Sequence, residues 1–214
     1  MQWTTLIGDF PFTTSNSYTI NGGLVAGRIY KFRYAARSIF GIGPWSDQGD
    51  VLASDVPSKS PSVITSQVGT SVQIAWSSDI KDNGSKISAY KILIKTSDSL
   101  FVEDTLCDGE NPVIFLNTYC LLPMTRFLSS PYNLKQGDTI VATVSSRNTV
   151  GWSDQSTPNT IGQQVKQPPP IAPPSLSIDY SKTNENQITV IMSQIVLESA
   201  TGGSPITSYS LEWD

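Results

Sequence analysis

The sequence contains no histidine among its 214 residues. Histidine is the commonest general base and a frequent metal ligand, because its unperturbed pKa lies close to physiological pH. Its absence excludes Ser-His-Asp and Cys-His nucleophile systems and every histidine-ligated metal site. We therefore expect that the chain is not an enzyme and that it carries no metal ion or other cofactor.

Charge and long apolar runs are also scarce. Only 15% of the residues are charged, against roughly 25% in an average soluble domain. The net charge is −4 and no basic run occurs, so nucleic acid is excluded as a partner. No apolar run approaches the ~18 residues of a membrane helix, and we expect no membrane insertion in this segment. The 15 Gly and 14 Pro indicate many turns between short strands.

Cysteine occurs only at Cys107 and Cys120. Their spacing fits no zinc-binding pattern, and no second pair is present. A disulfide is the favoured interpretation, with two free buried thiols as the alternative. A disulfide closing this loop would contribute on the order of 3 kcal/mol. It would also place the protein in an oxidising compartment, which predicts an extracellular or cell-surface location.

The clearest predicted strand begins at Tyr30, where aromatic and basic residues alternate. Tyr30, Phe32 and Tyr34 alternate with Lys31 and Arg33, so one face of the strand is apolar and the other is charged. A glycine-rich turn and a Trp-Ser-Asp-Gln sequence follow this strand.

Two blocks of sequence each occur twice. A strand, a turn and Trp-Ser-Asp-Gln appear in residues 24–48 and again in 134–155. A second block, a strand followed by a polar loop and Gly-Ser-x-Ile-x-x-Tyr, appears in residues 71–92 and 187–211. A fixed order of such blocks is typical of tandem repeats.

These blocks resemble fibronectin type III domains. Trp76 matches the inward tryptophan of the early strand, and Tyr90 and Tyr209 match the tyrosine that begins the middle strand. The corner motif of the family is matched by Leu24, Gly27 and Tyr30. The resemblance implies an all-β fold of tandem Greek-key β-sandwiches, of the fibronectin type III or immunoglobulin-like kind, with Trp76 and Tyr90 in the core. The long Cys-bearing insertion resembles the style of large protist surface proteins.

The repeated blocks predict the domain boundaries. We expect the C-terminal half of one domain, a complete domain with a Cys-bearing insertion, a Pro-rich linker and the N-terminal half of a further domain. The corresponding ranges are 1–53, 57–166, 167–174 and 175–214.

The two end segments are predicted to complete each other head to tail. Tyr209, Leu211 and Trp213 of one copy would pack in the same sandwich as Tyr30, Phe32 and Tyr34 of the next copy. The join would run from residues 211–214 into residues 1–6. The chain is then one period of a covalent array, which we favour, or a subunit that complements its neighbour non-covalently. A head-to-tail interface that does not close produces a helical filament.

Two motifs carry smaller predictions. Trp45 and Trp152 begin the repeated Trp-Ser sequences, and we interpret them as equivalent positions that stack on arginines of the neighbouring strand. The arginines expected to do so are Arg33, Arg37 and Arg147. The only N-glycosylation sequon begins at Asn83, which makes the protein a candidate glycoprotein.

The carboxylates around Cys107 are interpreted as a solvated loop. They are Glu103, Asp104, Asp108 and Glu110.

The favoured function is that of a structural subunit of an extracellular filament or a long surface protein. The alternative is a cell-surface adhesion or receptor module that binds a partner through its loops.

Overall fold

A computed structural model describes residues 3–8 and 12–214. Met1 and Gln2, which belong to the predicted head-to-tail join, lie outside the described residues. The chain divides into two compact units, Met1–Ser54 and Asp55–Asp214. No helix among the described residues is long and apolar enough to cross a membrane.

The regular secondary structure of the described residues is mostly β. The strands are β1 (Ile29–Phe32), β2 (Arg37–Ser38), β3 (Gly41–Ile42), β4 (Gly49–Leu52), β5 (Ile64–Val68), β6 (Ser71–Ala75), β7 (Ala89–Lys95), β8 (Phe101–Val102), β9 (Tyr119–Pro123), β10 (Ala142–Arg147), β11 (Ser177–Ile178) and β12 (Val190–Ile191). The two α-helices are α1 (Pro112–Asn117) and α2 (Glu198–Thr201), and short 3-10 turns cover Thr105–Cys107, Met124–Leu128 and Tyr180–Lys182.

The first unit contains two short antiparallel pairs. Strand β1 pairs with β4, with Ile29 opposite Leu52 and Phe32 opposite Gly49. Strands β2 and β3 form a hairpin. The N–H of Val25 donates to the hydroxyl of Tyr30 at 2.8 Å. This bond closes a tyrosine corner of the kind that β-sandwiches use.

The second unit contains a complete β-sandwich. One sheet has the order β5-β6-β9 and the other has the order β10-β7-β8. The chain crosses from the first sheet to the second after β6, returns for β9 and crosses again to β10. This connectivity matches the predicted Greek-key sandwich.

Buried and partly exposed residues alternate along β6 and β7, and the buried ones form the core of this sandwich. Val72 and Ile74 of β6 and Ile92 and Ile94 of β7 are buried, whereas the residues between them are partly exposed. Trp76 and Tyr90 lie in the same cluster, with ring centroids 5.4 Å apart. The positions that the sequence assigned to the core are therefore inside it. The indole N–H of Trp76 is buried without a hydrogen-bond partner.

The edge of β10 is completed by side chains rather than by a regular strand. The N–H groups of Ala142, Val144 and Ser146 donate to Asn159 Oδ1, Ser156 Oγ and Ser153 Oγ, at 2.8, 3.0 and 3.0 Å. The acceptors recur at every third residue, so this segment follows β10 without forming a full ladder. The arrangement satisfies buried backbone donors, as a closed sandwich requires.

Residues 175–214 form less regular structure. Strands β11 and β12 form a hairpin, and α2 follows it. Residues 204–214 carry no strand, although the repeat of residues 71–92 in residues 187–211 predicts one there. A strand is stabilised by pairing, and no described strand pairs with this segment.

Candidate interaction surface

The disulfide joins the part of the Cys-bearing insertion (residues 103–133) that precedes β9 to β9 itself. Cys107 and Cys120 are bonded, with their Cα atoms 5.1 Å apart. Cys107 lies in the insertion, and Cys120 lies on β9 of the first sheet. The carbonyl of Gly109 accepts the N–H of Tyr90 at 3.2 Å, which attaches the same insertion to β7 of the second sheet. The insertion therefore ties both sheets together at one side of the core.

Asp104 is the residue in this region that the sequence analysis placed wrongly. Its side chain is buried, although a solvated loop was expected, and it accepts hydrogen bonds from three groups. The donors are Leu106 N–H, Arg126 Nε and Tyr132 Oη, each at 2.9 Å. Arg126 and Tyr132 are 22 and 28 residues from Asp104 in the sequence. No pattern of neighbouring residues therefore predicts that Asp104 is buried.

These partners change two pKa values. Burial works against ionisation of Asp104, but hydrogen bonds from Leu106, Tyr132 and Arg126 and the charge of Arg126 outweigh it. The pKa of Asp104 is consequently below its usual value. Burial and the hydrogen bond to Asp104 raise the pKa of Tyr132 well above its usual value. The network therefore holds an ionised carboxylate inside the fold.

Each unit carries a stack of a tryptophan on cationic side chains. In the first unit, the guanidinium of Arg33 lies between the rings of Trp3 and Trp45, 4.2 and 4.5 Å from their centroids. Arg37, expected on Trp45, lies over Phe12 instead at 5.7 Å. In the second unit, Lys91 and Arg147 lie 4.9 and 5.0 Å from the centroid of Trp152. These contacts anchor neighbouring segments through cation–π attraction.

The two Trp-Ser sequences do not occupy equivalent places, which corrects the interpretation from sequence. Tyr34 exchanges bonds with Ser46, through its N–H to Ser46 Oγ and its carbonyl to Ser46 N–H. Val144 exchanges the same two bonds with Ser156. Ser146 exchanges the same two bonds with Ser153, and the N–H of Gly43, three residues before Ser46, donates to Ala36 as that of Ser153, three residues before Ser156, donates to Ser146. Matching both contacts makes Ser46 the counterpart of Ser156, and it places Trp45 at the position of Gln155.

Two contacts relate the two units by the same shift in numbering as Ser46 and Ser156. Gly43 N–H donates to the carbonyl of Ala36, and Ser153 N–H donates to that of Ser146. The pair Arg37 and Ile42 matches the bridge between Arg147 and Trp152. The first unit thus repeats the bonding pattern of the later half of the sandwich, including β10.

The start of the sandwich is repeated later in the chain. Asp55 N–H donates to the carbonyl of Asn83 at 3.1 Å, and Gln167 N–H donates to that of Gly202 at 2.9 Å. Asn83 and Gly84 have positive φ of 50° and 88°, and Gly202 and Gly203 have 78° and 82°. At Asn83-Gly84 these values form a tight turn, which the bond from Ser85 N–H to Asp82 O closes. Gly202 is instead the C-cap of α2, and its N–H donates to the carbonyl of Glu198. Residues 167–204 repeat the backbone bond and the positive φ values of residues 55–85, but not the turn.

Asn83 uses its side chain inside this turn. Its Nδ2 donates to Val56 O at 2.8 Å and lies 3.4 Å from Ser58 Oγ. A glycan attached at Nδ2 leaves one N–H for these acceptors. Glycosylation of Asn83 stays a prediction.

The predicted head-to-tail residues are largely exposed in the single chain. Tyr34 is 78% exposed, Leu211 51% and Trp213 89%. Tyr30, Phe32 and Tyr209 are partly buried, and the hydroxyl of Tyr209 accepts the N–H of Ile195 at 2.8 Å. Strand β1 is paired on one side only by the described strands.

No group of His, Cys, Asp and Glu within residues 3–8 and 12–214 could hold a metal ion. No family model matches the chain.

Solved structures similar to the chain include domains A168-A170 from titin, at 23% identity over 60% of this chain and 39% of that chain, with a TM-score of 0.34. Titin kinase with its flanking domains matches at 20% identity over 51% of this chain and 18% of that one, with a TM-score of 0.35. The protein FN3tt mut matches at 14% identity over 51% of this chain and 100% of that one, with a TM-score of 0.34. The chain spans well under half the length of the two titin structures.

Proposed function

We propose that the chain is a structural subunit of an extracellular filament or long surface protein. Copies associate head to tail, because the later half of a sandwich in one copy completes the early half in another. The complete domain between these halves acts as a rigid, disulfide-closed spacer. The protein belongs outside the cell in this proposal, since its disulfide is stable in an oxidising compartment.

One observation carries the proposal. Ala142, Val144, Ile92 and Ile94 are buried in the complete sandwich. The repeated bonding pattern and the repeated sequence block make Phe32, Tyr34, Leu211 and Trp213 their counterparts. Tyr34, Leu211 and Trp213 are exposed instead. Apolar strand faces that lack cover favour association with another chain, and a second copy supplies the counterpart of each half.

Sedimentation velocity over a range of concentrations tests the proposal. The wild-type chain should form species that grow with concentration, visible as filaments in electron images. Tyr34→Lys should shift the protein to monomer, because it places a charge in the expected core. Leu116→Lys is a matched control, since Leu116 on α1 is also 78% exposed but lies outside the repeated strands.

Two results count against non-covalent assembly. A wild-type monomer at every concentration would contradict it, as would an equal effect of both substitutions. A continuous covalent array would instead appear in native material as one long polypeptide containing many copies.

A second function is favoured by one loop. Ile39 and Phe40, between β2 and β3, are 94% and 93% exposed. An apolar hairpin tip is typical of a module that binds a partner through its loops. In that case the double variant Ile39→Ser with Phe40→Ser should lose retention on immobilised extracellular matrix proteins without changing its sedimentation. Unchanged retention would count against the adhesion module.

A further inference from the structure

We infer the register in which two copies pair. Phe32 of one copy lies opposite Trp213 of another, Tyr34 opposite Leu211, and Ala36 opposite Tyr209, in antiparallel strands. This inference rests on the proposed function, and it adds the partner segment and the residue-by-residue alignment.

The complete sandwich supplies the template. In the pairing of β10 with β7, Ala142 lies opposite Ile94, Val144 opposite Ile92 and Ser146 opposite Tyr90. All six side chains are buried. They alternate with pairs that exchange hydrogen bonds, as where Lys95 N–H donates to Val141 O at 2.8 Å. The three buried pairs are therefore the non-hydrogen-bonded ones, whose Cα atoms approach to ~4.5 Å.

The first half of the mapping rests on hydrogen bonds. Tyr34 exchanges two bonds with Ser46, as Val144 does with Ser156 and Ser146 does with Ser153. Two residues after Tyr34, the carbonyl of Ala36 accepts the N–H of Gly43, and two residues after Val144, the carbonyl of Ser146 accepts that of Ser153. Both contacts match together only when Tyr34 is the counterpart of Val144 and Ala36 is the counterpart of Ser146. Counting along the strand makes Phe32 the counterpart of Ala142.

The second half of the mapping rests on two backbone features and the sequence block. Asn83-Gly84 and Gly202-Gly203 have the same signs of φ. The carbonyl of the first residue of each pair accepts a backbone N–H, that of Asp55 at Asn83 and that of Gln167 at Gly202. Both pairs continue into Gly-Ser-x-Ile-x-x-Tyr without insertion or deletion. Tyr209 is therefore the counterpart of Tyr90, Leu211 of Ile92 and Trp213 of Ile94.

The two halves together define one register. The counterparts of Ala142 and Ile94 are Phe32 and Trp213, so these two residues face each other. The same mapping makes Asp214 N–H the donor to Lys31 O, as Lys95 is to Val141. Strand β1 already pairs with β4 along one edge, and the segment 209–213 of another copy occupies the other edge.

Single-cysteine variants test the register. The native cysteines are both in the disulfide and no free cysteine is present, so an introduced thiol reports only on its own position. Phe32→Cys protein is mixed with Trp213→Cys protein, and Tyr34→Cys with Leu211→Cys. The covalent dimers are measured on non-reducing gels under mild oxidation. Because each variant carries one new thiol, a mixed dimer arises only between copies.

The controls shift the register by two residues and keep the same face. They mix Phe32→Cys with Leu211→Cys, and Tyr34→Cys with Trp213→Cys. Diagonal positions lie ~7–8 Å apart, which is beyond the usual span of a disulfide. We expect the matched pairs to form mixed dimers at least about tenfold faster than the shifted pairs.

The outcomes separate this inference from the proposed function. Faster cross-linking of a shifted pair would overturn the register while leaving head-to-tail assembly intact. Equal rates for all four mixtures, in protein that sediments as an assembly, would also overturn the register. If no mixture cross-links and the wild type sediments as a monomer, the proposed non-covalent function fails with it.

A tandem of two copies joined end to end extends the test to a covalent array. With Trp213→Cys in the first copy and Phe32→Cys in the second, the matched tandem should close internally and run faster on a non-reducing gel. A tandem with Leu211→Cys in place of Trp213→Cys is the shifted control. If only the shifted tandem formed its internal disulfide, the result would contradict the register for a covalent array as well.

Discussion

Trp76 is the largest aromatic anchor of the core at the scale of single residues. It packs on Tyr90, which in turn packs on Phe115 with ring centroids 5.4 Å apart. We expect Trp76→Ala to lower the free energy of unfolding by ~3–5 kcal/mol, as large core truncations do. Urea unfolding followed by circular dichroism measures this loss.

A second variant at Trp76 separates the effect of ring packing from that of the buried indole N–H. Trp76→Phe keeps a ring against Tyr90 and removes an indole N–H that is buried without a partner. We expect it to cost about 1–2 kcal/mol, less than the alanine variant. A loss below about 1 kcal/mol for Trp76→Ala would mean that the strand buries its other face.

Asp104 makes stability depend on acid pH. A carboxyl whose pKa is lowered by folding contributes stability above its unfolded pKa, and that contribution disappears as pH falls through the folded pKa. The pKa of Asp104 is lowered, so the wild type should lose stability below about pH 4. Asp104→Asn should be less stable at neutral pH and should show a flatter profile in this acid range.

Thermal unfolding between pH 2 and 7 measures the difference between the two profiles. Asp98→Asn is the control, because Asp98 lies exposed in a turn. Parallel profiles for the wild type and Asp104→Asn would contradict a stabilising role of the ionised carboxylate.

The disulfide acts at the scale of elements, because it connects the part of the insertion that precedes β9 to β9 itself. Replacing both Cys107 and Cys120 by alanine should lower the free energy of unfolding by about 3 kcal/mol, mainly by freeing the unfolded chain. Chemical unfolding with and without a reductant measures this effect. The reductant should destabilise the wild type and leave the double variant unchanged, and an unaltered midpoint for the double variant would contradict the prediction.

The insertion also needs a close backbone approach at Gly109. A Cβ atom at this position would lie 2.7 Å from the carbonyl carbon and 2.8 Å from the Cβ of Tyr90. We expect Gly109→Ala to cost about 1–3 kcal/mol, since overpacking displaces neighbouring atoms. Gly49→Ala is the control, because nothing lies within 4 Å of the added atom. Equal unfolding midpoints for the two variants would show that the insertion adapts to the added atom.

At the scale of the whole molecule, the segments differ in how much backbone pairing they contain. The sandwich of residues 57–166 has two three-stranded sheets, whereas residues 175–214 have one short hairpin and an unpaired stretch. Limited trypsin digestion of dilute protein should therefore cut at Lys182 before Lys91 or Lys95. Mass spectrometry of early fragments identifies the sites. Early cleavage within β7 would contradict this order.

The proposed assembly should also change how fast trypsin cuts near β1. If copies pair as inferred, concentrated protein should be cut more slowly after Arg33 and Arg37 than dilute protein, because the partner strand covers that edge. Lys59 serves as an internal reference, since it precedes the first strand of the complete sandwich. Equal protection at all three sites would count against coverage of this edge.

The sequence by itself determined the features that neighbouring residues encode. The alternation of apolar and polar residues in β6 and β7 predicts which side chains enter the core, because this signal depends only on the direction of side chains within a few residues. The count and spacing of cysteines favoured the disulfide that is present. The order of the repeated blocks predicted tandem repeats, and their resemblance to fibronectin type III domains implied a β-sandwich.

Only the tertiary structure decided the contacts between distant segments. Asp104 is buried because Arg126 and Tyr132 reach it, and nothing adjacent to it signals those partners. The Trp-Ser sequences look equivalent, yet the hydrogen bonds of Gly43 and Ser46 together match those of Ser153 and Ser156, which places the two sequences three residues out of step. Local patterns repeat in sequence whenever similar residues recur, whereas register depends on which backbone groups meet across strands, and that is a property of the folded chain.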